Sequence, residues 1–461
     1  MRSLFAVVIA LFFAGCSFRP DLPNVDTKFE AIYKFETSDI NDRWWEEFKD
    51  ENLNSLITDT LQNNIDLKMA FLNLQKAEAM LGISSADLLP SINLNGSATR
   101  ARTSGETYTK QDNIKYTNYA LNLGLNYEID LWGRVKNSIE ASKSSLKATK
   151  FDYDTARLSI ASNVAKRYFI LVSLNMREQV LLDTLKSYEE TMKFRKTQLE
   201  MGSIDNITFL QSKAQVESTK VSLIEVQNFI NLAVSSLSVM SGKSNDEILK
   251  GAVKSSKKLP QEPKISAGIS SDILLRRSDI ASAYENLKAT NALIGVSKAA
   301  YYPSISLTGL LGFVSSDLAR LFNANANTWS LGGSLTQKIF DNGRIKNNVK
   351  IAETNEQIAA LVYEKSVKTA LSEVRDALLR RENAKLSQKS AKALLNSQEK
   401  IYEIAKSKFE EGYSSHLELL DAQRNLLASK LQDVNANLNL INSIVEIYKA
   451  FGGGFKVENL K

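Results

Sequence analysis

Apolar and polar residues alternate one by one along four stretches of this chain, and recur every three or four residues along much longer ones. The clearest alternation places Leu121, Leu123, Leu125, Tyr127 and Ile129 between Asn122, Gly124, Asn126 and Glu128. Ser91 to Thr99 does the same with Ile92, Leu94 and Ala98 among asparagine and serine. Further along, Ile305, Leu307, Gly309, Leu311 and Phe313 form a third run, and Trp329, Leu331, Gly333, Leu335 and Ile339 a fourth. Period two predicts β-strands with one apolar and one polar face. Runs of about ten residues suit a membrane-crossing strand, apolar outward and polar toward a lumen. A half-buried soluble hairpin has the same period, so alternation alone leaves both open.

The longer pattern follows YEIDLWGR (Tyr127 to Arg134) and KIFDNGR (Lys338 to Arg344), where Gly133-Arg134 and Gly343-Arg344 mark strand-to-helix junctions. Each opens 68 residues without glycine or proline, Arg134 to Met201 and Arg344 to Glu411. As helix, that is about 100 Å at roughly 1.5 Å per residue, too long for a globular core. Leu417, Leu420, Arg424, Leu427, Leu431, Val434, Leu438, Ile441, Val445 and Tyr448 step three and four apart, as in a coiled coil. Ile207, Leu210, Ala214, Val221 and Ile224 follow a similar register. Ile139, Leu146, Tyr153 and Ile160 recur every seven, as do Leu158, Ala165 and Val172.

The chain repeats itself. LLPSINLNG (Leu88 to Gly96) answers YYPSISLTG (Tyr301 to Gly309) 213 residues on, while Gly133, Gly202 and Gly242 answer Gly343, Gly412 and Gly452 at 210. Each copy reads as a first helix stopped by a proline, two strands, a very long helix and a shorter one. The first helices are expected over Leu53 to Leu88 and Asp272 to Tyr301. The organisation is therefore a segment 1–15, an N-terminal segment 16–52 packed on the helices, a first repeat 53–255, a linker 256–268, a second repeat 269–452 and a tail 453–461. Trp44 and Trp45 are expected to pack that N-terminal segment, not to bind ligand.

Charge and cysteine usage narrow the class. Net charge is +6, but acids and bases alternate along the helices and no basic block interleaves with aromatics, so no nucleic-acid partner is expected. Residues 1–15 read as a short signal peptide: Arg2, an apolar run from Leu4 to Phe13, then Ala14-Gly15 before Cys16, the only cysteine. Small residues immediately before it resemble a bacterial lipobox, which implies acylation of Cys16. No later segment is expected to cross a membrane as a helix. With no histidine or cysteine cluster there is no transition-metal site, and a Ser-His-Asp enzyme would have to use His416, the only histidine; neither a cofactor nor an enzyme is expected. GGG at Gly452 to Gly454 ends a helix and is not a phosphate loop.

Four strands per chain cannot close a membrane barrel, and open edges are not tolerated in lipid. Two chains would give eight strands and a filled lumen, three would give twelve and room for a channel. WWEEFKDENLNSLI (Trp44 to Ile57), RRSDIASAYENLKATNALIGVSKAAYYPSISLTG (Arg276 to Gly309), YEIDLWGR and FDNGR resemble the TolC-like outer-membrane factors, in particular the lipoprotein branch serving RND-type multidrug efflux pumps. Ser278 stands where that family usually has proline. The resemblance implies a mainly α protein with membrane β: a homotrimer forming a twelve-stranded barrel in outer-membrane lipid, with a coiled-coil periplasmic tunnel. Ser17 after the acylated cysteine, where inner-membrane lipoproteins carry aspartate, implies the same membrane.

The resemblance also assigns sites. Glu418 and Asp421, three apart on one helical face, match the acidic ring that narrows the periplasmic opening, with Glu418 replacing the more common aspartate. Tyr413 and Arg424 are candidates for links that hold the opening shut. Met201-Gly202-Ser203 and Glu411-Gly412-Tyr413 are candidates for docking a periplasmic adaptor that connects to an inner-membrane RND-type pump. His416 near the opening suggests a pH switch, but an exposed histidine without a duty is the expected reading. The reading is a passive gated duct for drugs or other small toxic compounds. A type I secretion duct is the alternative within the class, and a coiled-coil structural lipoprotein or the adaptor itself the alternative outside it.

Overall fold

A computed structural model describes residues 18–23, 25, 43–106, 113–250, 258–263 and 277–453. Cys16, the segment 1–15, most of 16–52, Asp272, the outer parts of the linker and the tail from 454 lie outside the described residues. In chain order the elements are a 3-10 turn (Trp44–Phe48), α1 (Glu51–Asn63), α2 (Ile65–Ala86), β1 (Ser91–Arg102), β2 (Lys115–Ile129), α3 (Arg134–Glu200), α4 (Asn206–Ser241) and a short α5 (Asn245–Ile248). The second copy gives α6 (Ser278–Ala299), β3 (Ser304–Ser315), β4 (Asn327–Thr336), α7 (Arg344–Glu410) and α8 (His416–Ala450). Both expected long helices form, each of 67 residues.

By packing, the chain falls into two units. The first, with described parts 18–23, 25, 73–106, 113–150 and 282–364, holds the sheet. Its strands form an antiparallel meander in the order β1-β2-β3-β4. The register aligns Leu94 with Leu123, Leu123 with Leu311, and Leu311 with Trp329. Because side chains alternate across a strand, this gathers Ile92, Leu94, Leu121, Leu125, Leu307, Leu331 and Leu335 on one face. The other face takes Asn93, Asn95, Asn122, Asn126, Ser306, Thr308, Ser330 and Ser334. The apolar face is uncovered in the chain: Leu94 is 67% exposed, Trp329 73% and Leu331 78%. The strands outrun the expected ones in β1 and β2, whereas Ile339 lies beyond the end of β4.

The second unit, with described parts 43–72, 151–250, 258–263, 277–281 and 365–453, holds the main core. Trp44, Phe48, Leu53, Ile57, Val164, Tyr168, Phe169, Leu237, Ile444 and Tyr448 are buried there. Trp44 stacks on Tyr448 at 5.1 Å between ring centroids, so Trp44 and Trp45 are packing residues. Leu158, Ala165 and Val172 are buried on α3, and Leu420, Val434, Ile441, Val445 and Tyr448 on α8. Leu417, at the start of that register, is exposed.

Four expectations need correction. The first helix is not continuous: Asn64 leaves helical geometry (φ −59°, ψ 129°), its Nδ2 donates to Met240 O at 2.8 Å, and its Oδ1 accepts from Leu67 N, starting α2 afresh. The helices also stop short of Leu88 and Tyr301, at Ala86 and Ala299. On α4 the buried seam is Ser212, Val216, Thr219, Val226, Ile230, Val234 and Leu237, while Ile207, Leu210, Ala214, Val221 and Ile224 are exposed. A helix with two apolar seams satisfies the heptad rule twice, and spacing does not say which seam its own chain covers. For the same reason α4 is, by length and composition, apolar enough to cross a membrane, against the expectation that no such segment follows residue 16.

Candidate functional site: helix turns and strand-helix junctions

The two helix reversals are built alike. Gly202 (φ 72°) and Gly412 (φ 81°) hold the left-handed conformation that ends α3 and α7. Ser203 N donates to Gln198 O at 2.9 Å and Tyr413 N to Lys408 O at 2.8 Å, closing both ends in the same way. Asp205 then caps α4 by accepting from Thr208 N, and Ser415 caps α8 by accepting from Glu418 N. Met201, Gly202, Ser203, Glu411, Gly412 and Tyr413 are all exposed around these reversals.

Glu418 and Asp421 stand on the first turns of α8, both exposed. Asp421 accepts from Asn425 Nδ2 at 3.2 Å, and the Glu418 backbone N–H is taken by its cap. Arg424 donates to Gln215 Oε1 at 2.9 Å, linking α8 to α4. Tyr413, expected to act with it, is 80% exposed. The residue that sequence reasoning misplaced is His416, which is half-buried. Its Nδ1 lies 3.2 Å from Arg195 Nη2 and its Nε2 lies 3.3 Å from Ser212 Oγ. Burial and the Arg195 charge lower the ring's pKa from 6.5 to about 4, so it is neutral at ordinary pH.

The junctions resemble each other in backbone and differ in charge. Gly133 (φ 72°) and Gly343 (φ 79°) both turn the chain into its long helix. In the first copy Arg134 makes a two-pronged ion pair with Glu128 (2.7 and 2.8 Å), and Asp130 accepts from Lys136 N. In the second, Asp341 accepts from Gly343 N (2.9 Å) and Ile345 N (2.8 Å), which caps α7. Lys338 occupies the place of Glu128, so Arg344 faces no matching carboxylate from that position.

Arg277 was not singled out by sequence, although the motif carrying it was. It is 8% exposed and donates to Ala450 O (2.8 Å), to Asp279 (3.0 and 2.7 Å) and to Glu373 (2.6 Å). A second ionic cluster joins Lys166 and Arg380 to Glu446. Among the described residues no group of histidine, cysteine and carboxylates could hold a metal ion.

This arrangement has known counterparts. The family model described as outer membrane efflux protein matches the chain twice, over residues 56–243 and 269–453. The chain belongs to the outer membrane efflux protein family. The cation efflux system protein CusC of Escherichia coli O157:H7 is 31% identical over 456 residues, covering 97% of this chain and 98% of CusC. A probable efflux pump outer membrane protein, TtgC of Pseudomonas putida, is 30% identical over 467 residues, covering 98% and 96%. The crystal structure of the Campylobacter jejuni outer membrane channel CmeC superposes with a TM-score of 0.87 at 34% identity, covering 96% of each chain. Like other members of the outer membrane efflux protein family, this chain is an outer-membrane duct and not an enzyme. The expected mainly α architecture with membrane β holds.

Proposed function

We propose that three copies of this chain close a twelve-stranded barrel in the outer membrane and a helical periplasmic tunnel, forming the exit duct of a tripartite efflux pump. The observation that carries this is the four-stranded sheet, apolar on one face and polar on the other, with β1 and β4 each lacking, among the described residues, a neighbour on one side. Lipid tolerates the apolar face but not the open edges. Antiparallel pairing of β4 with β1 of the next copy removes both. Twelve strands leave the Asn, Ser and Thr face lining an aqueous path, whereas eight would fill it.

In this reading the exposed α4 seam packs on the neighbouring copy, and Cys16 carries a covalent lipid that adds a second hold on the membrane. The reversals at Gly202-Ser203 and Gly412-Tyr413 face the periplasm and receive a periplasmic adaptor coupled to an inner-membrane RND-type pump. Glu418 and Asp421 from three copies bring six carboxylates near one axis, favouring cations and narrowing the opening. Arg424 holds α8 to α4 at that level, and Tyr413 offers its exposed ring to a neighbour. The cargo is small toxic compounds, organic or ionic, since relatives with this architecture include one named for cation efflux. The pump selects among them, because a wide polar lumen makes few fitted contacts.

Native mass spectrometry of the detergent-extracted full chain tests the assembly. Three copies of the 51.3 kDa chain, corrected for processing, are expected. Two copies, or a monomer that stays inserted in bilayers, would overturn it. Labelled palmitate incorporated by the wild type and not by Cys16→Ser checks the anchor.

A further inference from the structure

We propose that Arg195 and His416 are positioning residues of the duct's gate: a neutral His416, held between Arg195 and Ser212, ties the first turn of α8 to the α3–α4 hairpin, and a proton on that ring releases it. The inference rests on the reading of Glu418 and Asp421 as the gate, since His416 begins the helix that carries both.

The donor and acceptor roles close without ambiguity. A guanidinium only donates, so Nδ1 of His416 must be the bare nitrogen that accepts from Arg195. The proton is then on Nε2, which donates to Ser212 Oγ, and Ser212 passes its own hydrogen to Thr208 O at 3.2 Å. Four helices meet here: α3 supplies Arg195, α4 supplies Ser212, α7 supplies Phe409 and α8 supplies His416 itself. Arg195 is 4% exposed, lies 4.5 Å over the Phe409 ring, and donates to Gln198 Oε1 at 2.6 Å. Among the described residues it makes no ion pair, and its Nε is buried without a hydrogen-bond partner.

This is an unusual place for a buried cation, and it makes the neighbouring ring the point of weakness. Arg195 is the charged group that acts on His416; α4 presents a hydroxyl and α7 an aromatic ring, 6.0 Å away. Protonating Nδ1 would set an imidazolium against the guanidinium and turn an acceptor into a donor. The positive end of α8, where His416 sits, opposes the same proton. A latch of this kind is intact while the ring is neutral and fails when it is charged.

The direction with pH follows from linkage. The held ring has a pKa of about 4, against 6.5 for a released one. A base whose pKa is lowered in the held state loses that state as pH falls. The latch is therefore at full strength above 6.5 and weakens steadily down to about 4. Between pH 7.5 and 5.5 the ratio of held to released gates falls roughly 10-fold.

His416 is the only histidine in the chain, which allows a direct test. The full-length protein carrying 13C-labelled histidine should show a single ring signal, in the Nε2–H form, titrating near pH 4. A midpoint between 6 and 7 would overturn the latch whatever the channel does. In planar bilayers, open probability of the wild type should rise between pH 7.5 and 5.5, whereas His416→Gln, which keeps an acceptor but does not titrate, should stay flat. His416→Lys should be open already at pH 7.5. Equal responses in wild type and His416→Gln would overturn the positioning role. Absence of current in all three would refute the duct, while the ring titration still judges the latch.

Discussion

Arg277 gives the sharpest test of what holds the second unit together. Burial opposes its charge, and the Asp279 and Glu373 carboxylates more than offset that, holding the guanidinium above its usual range. Arg277→Ala removes one bond to a helix-terminal carbonyl, worth about 1 kcal/mol, and a set of charge-assisted bonds worth about 1.5–3 kcal/mol each where buried. Breaking a fully buried pair costs about 3–5 kcal/mol, which is the ceiling. The Asp279 and Glu373 side chains are 38% and 51% exposed, so solvent screens much of the pairing and takes up the stranded carboxylates. The net loss is therefore about 2–3 kcal/mol, concentrated where α8 ends at Ala450 and α6 begins at Ser278. Hydrogen exchange reads it locally. Amides of Ile447 to Ala450 and Ser278 to Ala281 should exchange roughly 30- to 150-fold faster, at 1.36 kcal/mol per decade. The part of α4 that carries Val226, Ile230, Val234 and Leu237 on its buried seam should change little. Arg277→Lys, which keeps the charge without the fork, should fall between. Unchanged exchange at both helix ends, or the same acceleration everywhere, would refute the reasoning.

Three further outcomes follow from particular packing and capping arrangements. Trp44 is fully buried against Tyr448, so Trp44→Ala should cost about 3–5 kcal/mol and Trp44→Phe much less, read by thermal unfolding of the detergent-solubilised protein. A Cβ at Gly312 would meet the carbonyl oxygen of Leu121 at 2.3 Å, whereas at Gly333 it would meet only Leu307 Cδ2 at 3.7 Å. Gly312→Ala should therefore abolish the heat-resistant oligomer on gels and Gly333→Ala should preserve it. The Ile345 N–H, followed by the Gly343 and Arg344 amides, holds the Asp341 carboxyl below its usual 3.8. Its capping contribution is complete above that pH and is lost as pH falls below it, so the ratio of Ile345 exchange in Asp341→Asn to wild type should change across pH 4 and be level above it.

The strands and long helices were legible because their signals are local. Alternation from Leu121 to Ile129 fixes both the strand and its apolar face, and paired glycines 210 residues apart fix where each helix begins and turns. All six paired glycines from Gly133 to Gly452 have positive φ, which a side chain would strain. What stayed hidden depends on distant partners. The break at Asn64 is decided by Met240, 176 residues on, which an asparagine in an otherwise helical pattern does not announce. Two seams on α4 look alike in sequence, and only the fold shows which one its own chain covers. His416 is a polar residue at a helix start by any local rule. Its burial comes from Arg195 and Ser212, on two other helices and more than 200 residues away. Arg277 was visible as part of a motif, but its acceptor at Ala450 was not.

Single-channel recording bears most directly on the central claim, that copies of this chain form a gated duct. Purified full-length protein in a planar bilayer should give small, cation-selective steps at neutral pH. In the double variant Glu418→Ala/Asp421→Ala the steps should grow or lose selectivity. Steps identical in both proteins would keep the duct and remove the acidic residues from its gate. No steps in either, from protein shown to be inserted, would contradict the account.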